Sequence, residues 1–135
     1  MVSGSKLIAP STVGFSRILG SARTVNLAAT GDQAIITIPA AVTKYLVTHV
    51  ILTNASAIPV LAQVAVYTGA AASGTNIVAA ATITGATGPT VVLSLTLAGT
   101  IAATALTAGQ LFVNVAVANA TALTADIYIA GIDLS

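Results

Sequence analysis

General acid–base or metal chemistry in this 135-residue chain would have to come from one histidine and three aspartates, because it contains neither cysteine nor glutamate. His49 alternates with Val47 and Ile51 on a strand-like run, and a lone imidazole lacks the second group that a base or a metal site needs. It reads as a packed or hydrogen-bonded structural histidine. Asp32, Asp126 and Asp133 are widely spaced. A paired-carboxylate glycosidase or a multi-oxygen calcium site would therefore be poorly supplied. Asp32 is expected to make a turn with Gly31, and Asp126 and Asp133 to mark the solvent side of the last strand. The lack of cysteine removes disulfides, thiolate metal sites and a thiol nucleophile. No Gly-x-Ser-x-Gly elbow, phosphate loop or dinucleotide fingerprint is present. Asn54-Ala-Ser56 and Asn119-Ala-Thr121 fit the glycosylation acceptor pattern, read here as coincidence in a chain without a leader. The expectation is a protein that is not an enzyme and uses no cofactor or metal.

The charge count carries more information. Charged residues make up 5% of the chain, where roughly 25% is usual. A compact monomer of this mass exposes on the order of 6,400 Å², or roughly 900 Å² per charged side chain. Weakly polar surface on that scale invites association, which predicts a homo-oligomer or a chain covered by a host assembly. A spanning helix needs about 20 predominantly apolar residues. The nearest stretch, 97–118, is interrupted by Gly99, Gly109, Gln110, Asn114 and three threonines. With three Tyr, two Phe and no Trp there is little material for the aromatic girdles of a membrane barrel. Residues 7–9 are too short an apolar core for a leader, and Pro10 follows. No membrane partner is expected, and synthesis in the cytoplasm is.

Residues 1–23 differ from the rest. They hold Lys6, Arg17 and Arg23 without an acid, whereas Lys44 against three aspartates leaves the remainder at −2. Such a segment is either a frayed terminus or an extended N-terminal docking arm anchored by Leu7, Ile8, Phe15, Ile18 and Leu19. The three bases could meet a few phosphates, but the scarcity of aromatics for stacking argues against nucleic-acid binding.

From residue 24 onward the pattern is strands and turns, giving an arm (1–23) and one domain (24–135). Strands are predicted at 33–38, 44–53, 58–68, 76–84, 90–97, 110–118 and 125–132, with a short first strand at 25–29 and an ill-defined one at 101–106. Val60, Ala62, Val64 and Val66 share one face, as do Val91, Leu93, Leu95 and Leu97, and Leu111, Val113, Val115 and Val117. About eight strands with regular turn signals predict an all-β antiparallel sandwich of jelly-roll type. An internal echo fits two sheets: residues 50–58 (VILTNASAI) and 115–123 (VAVANATAL) match, 65 positions apart. A chain this rich in Ala and Thr also repeats itself by chance.

The runs DQAIITIP (32–39), KYLVTHVILTNAS (44–56), VYTG (66–69), 111–118 and TADIYIAG (124–131) resemble small capsid-associated proteins of tailed bacteriophages. The likeness spans residues 30–134 and lies in strands and corners rather than in a signature motif. The resemblance implies a head decoration (cement) or head-fibre protein: a β-sandwich, often a trimer, seated on the outer surface of the virion and bound to the major capsid protein. On that reading Lys6, Leu7, Ile8, Phe15, Arg17, Ile18, Leu19 and Arg23 form the capsid-docking arm. The alternatives are a receptor- or carbohydrate-binding head of a tail or head fibre, and a small capsid or scaffold subunit.

Overall fold

The computed structural model describes residues 16–135. Eight strands follow in order: β1 (Ser16–Asn26), β2 (Gly31–Thr37), β3 (Tyr45–Thr53), β4 (Gln63–Gly69), β5 (Ser73–Thr82), β6 (Leu93–Leu95), β7 (Gln110–Val117) and β8 (Thr124–Asp133). They form two four-stranded sheets, ordered β1-β8-β3-β6 and β2-β7-β4-β5. Every neighbouring pair is antiparallel. The pairs β1/β8, β2/β7, β3/β6 and β4/β5 are those of a single long hairpin with its tip between β4 and β5. Rolling that hairpin brings β3 against β8 and β4 against β7. The result is the jelly-roll sandwich that the strand count implied.

Period-two patterning builds the core between the sheets. Leu111, Val113 and Val115 of β7 face inward, while Phe112 and Asn114 face out. Val64 and Val66 of β4 and Val47, Val50 and Leu52 of β3 meet them in one apolar cluster. Burial of each such aliphatic side chain is worth about 1.5–3 kcal/mol. Tyr45 is fully enclosed, and its hydroxyl donates to the Ala108 carbonyl at 2.6 Å. Burial pushes that phenol up to about 12.

Several strands differ from the sequence expectation, each for a local reason. β1 begins at Ser16 rather than at residue 25. Its buried residues Leu19, Ala22 and Val25 are three apart, because register shifts at Ile18/Gly20 and Ala22/Val25 insert extra residues. Residues 16–23, expected in the arm, are therefore the larger part of a strand paired to β8. Gly31 and Asp32 open β2 instead of forming a separate turn. The expected strand 58–68 starts at Gln63, and residues 58–62 form an irregular corner in which Leu61 has φ 75°. β6 keeps three residues, and residues 101–106 contribute a 3-10 turn (Ile101–Ala103) and a single bridge from Leu106 to Tyr45. In β3 a bulge between Val47 and His49 resets the alternation, so His49 is exposed rather than packed. Its Nδ1 lies 3.2 Å from the Thr48 hydroxyl.

Candidate interaction surface

The rolled hairpin sorts its connections between two ends. Residues 27–30, 54–62, 83–92 and 118–123 lie together at one end, here the apex. Backbone and side-chain hydrogen bonds tie them: Leu27 N–H to Leu123 O (2.9 Å), Ile83 N–H to Ala62 O (3.3 Å) and Ala120 N–H to Val60 O (3.2 Å). The Thr53 hydroxyl adds a bond to Val91 O at 3.0 Å. The start of β1 and the end of β8 lie at the other end, as the registers Ser16–Ile132 and Tyr45–Asp133 require.

The internal echo becomes physical at the apex. The two similar corners are neighbours: Ser56 N–H donates to Thr124 O and Thr124 N–H to the Ser56 hydroxyl, both at 2.9 Å. Their asparagines have diverged. Asn119 is buried, accepts from Val60 N–H and donates to Thr121 O at 2.9 Å. Asn54 is exposed at φ 55° and donates to Asp126 Oδ2 at 2.8 Å.

None of the four apex connections contains a charged residue or a histidine. They carry instead exposed Ile58 (63%), Val60, Leu61 (62%) and Val92 (64%), with Val117 at the adjoining end of β7. Together these five expose roughly 450 Å², in the middle of the ~300–600 Å² typical of the largest apolar patch on a monomer. Patterning placed Val60 and Val117 on buried faces. Val60 lies outside β4, and Val117 ends β7 beyond the cover of the opposite sheet.

Of the arm residues named from sequence, Lys6, Leu7, Ile8 and Phe15 lie outside the described residues. The other four belong to β1. Leu19 is 1% exposed and part of the core, so it is not a free anchor. Arg17 reaches Asp133 at 3.7 Å, and Arg23 sits 5.7 Å from the Tyr128 ring centre. Ile18 alone of the four is an exposed aliphatic.

The aspartates also depart from expectation. Asp126 and Asp133 are buried rather than solvent-facing. Asp126 accepts from Thr24 N–H, at 2.8 Å, and from Asn54, so one carboxylate braces two residues with left-handed backbones, φ 53° and 55°. Those bonds, Thr24 first, hold its pKa below the ordinary carboxylate value. The Ser135 N–H does the same for Asp133. Asp32 accepts from Ala71 N–H at 2.7 Å and from Asn114 at 2.9 Å, pinning the β4–β5 tip.

That tip closes one side of a shallow groove of about 560 Å³ lined by Asp32, Gln33, Ala34, Ile35, Ala70 and Phe112. Ile35, Phe112 and Tyr67 are register partners across β2, β7 and β4, and form an apolar stripe on the outer face of that sheet. Among the described residues no group of three or more His, Asp or Glu side chains is placed to hold a metal ion. No helix among them is long and apolar enough to cross a membrane. Comparisons with protein-family models, with curated proteins and with solved structures returned no match.

Proposed function

We propose that the chain is a structural virion protein, a decoration (cement) protein that coats the outer surface of a tailed-phage head as a homotrimer bound to the major capsid protein. The observation that carries this reading is the apex, where four connections without a charged residue and the adjoining end of β7 present five exposed aliphatic residues. Surface of that kind works by being covered. The sequence resemblance supplies the identity of the shell, and production in the host cytoplasm follows from it. Such a protein stabilises a capsid by mass action, binding the assembled shell in preference to its loose subunits.

The test is co-sedimentation with undecorated shells of the full chain and of a variant lacking residues 1–15, which keeps Ser16–Asn26 of β1. The full chain is expected to pellet with shells and the truncated chain to stay in the supernatant. A full chain that ignores shells refutes the reading, and a truncated chain that still pellets refutes docking by the arm.

A second reading, a receptor- or carbohydrate-binding fibre head, is favoured by the groove, where Phe112 offers an aromatic platform beside Asp32 and Gln33. Loss of glycan-array binding on Phe112→Ala would support it, and an array without signal for the intact protein would remove it.

A further inference from the structure

We propose that the apex is the contact between copies of this chain, with three apices converging on a symmetry axis and the ends that carry Ser16 splayed away from it. This rests on the decoration reading and specifies which surface serves the trimer. The first argument is charge. A symmetric contact sets a patch against itself, so any charge at its centre meets its like, and the four apex connections contain none. Arg17, Lys44 and Asp133 lie toward the other end. The charged residues nearest the apex, Arg23, Asp32 and Asp126, sit in the adjoining strand ends, outside the four connections.

The second argument is area. A stable interface takes about 800 Å² and 20–30 residues from each partner, apolar at its centre and polar at its rim. The apex offers a centre of Ile58, Leu61 and Val92 and a rim of Thr, Asn, Ser and Ala on four connections. The third is preorganisation. The hydrogen bonds around buried Asn119 fix these connections before contact, which lowers the cost of ordering on association.

Leu61 adds an independent observation. It is exposed, yet it holds φ 75°, a region that favours glycine and that bulky residues rarely occupy. Most of its side chain is in solvent, so packing within the subunit repays little of that strain, and a contact outside it would repay more. The position of β1 selects the symmetry. An end-to-end two-fold would send the Ser16 ends in opposite directions, whereas a three-fold of inclined subunits turns all of them toward one shell.

The experiment is sedimentation velocity on the full-length chain over the micromolar range, with a thermal melt of each variant. The intact protein is expected to sediment as a trimer. Leu61→Lys and Val92→Lys should sediment as folded monomers, with association weakened at least tenfold. Leu61→Gly should melt no lower than the parent and still associate more weakly, which separates a lost contact from a damaged fold. Ile18→Lys, at an exposed aliphatic far from the apex, should leave the trimer intact. Lysine variants that remain trimeric overturn the proposal, as does an intact chain that stays monomeric while still coating shells. A trimer that dissociates on apex substitution but ignores shells upholds the proposal and defeats the decoration reading instead.

Discussion

Replacing Ala72 by glycine should make the protein more stable, although it removes a methyl group and fills no space. At the tip of the β4–β5 hairpin, Ala71 and Ala72 hold φ 56° and 58°, the left-handed region that suits glycine or asparagine. An L-residue other than these pays about 1–2 kcal/mol to stay there. Glycine relieves that strain at Ala72 but gives back roughly 0.4–1 kcal/mol through the greater freedom of the unfolded chain. The net expected gain is about 0.5–1 kcal/mol, which raises the melting temperature by roughly 2–5 °C for a domain of this size. Ala72 is exposed, so no core contact is lost, and the Ala71 N–H keeps its bond to Asp32. Ala70 is the internal control: its φ is not positive, so Ala70→Gly obtains no relief and should lose about 0.5–1 kcal/mol. Urea unfolding and thermal melts of both variants measure the contrast. If Ala72→Gly proves no more stable than Ala70→Gly, strain at the tip is not what limits this hairpin.

Three further outcomes are expected. Leu19→Ala should cost about 2–4 kcal/mol by opening a cavity, while Ile18→Ala stays within about 0.5 kcal/mol; equal effects would mean that β1 is not packed into the sandwich. A Cβ at Gly131 would overlap the Leu46 carbonyl oxygen in the centre of a sheet, so Gly131→Ala should destabilise by about 3 kcal/mol or more, whereas Gly109→Ala, with open space around it, should be near neutral; unfolding curves show which is which. Asp126→Ala strips the partner from Thr24 and Asn54 and should cost about 1–3 kcal/mol at pH 7. Because the folded pKa of Asp126 lies below its ordinary value of 3.8, its contribution is complete above that value and is lost as pH falls through the folded one. The gap between variant and parent should therefore shrink as pH falls below 3.8, and a gap independent of pH would contradict the assignment.

The strand content was readable because alternation is local. In β7, Leu111, Val113 and Val115 announce a buried face with no help from the rest of the chain. β1 was hidden because bulges space Leu19, Ala22 and Val25 by three, and a bulge depends on the partner strand, β8, more than a hundred residues away. The aspartates were misjudged for a related reason. A carboxylate is buried only where donors converge on it, and the donors to Asp126 come from Thr24 and Asn54.

Residue types alone determined that this protein would be poor in charge, and their order, with its period of two, that it would be rich in sandwich-forming strands. Tertiary structure decided where the uncharged aliphatics gather. Ile58 and Val92 belong to different connections and Val117 to the end of β7, and only the rolling of the hairpin sets them on one end. A surface patch is a property of distances between segments, and no spacing along the chain encodes it.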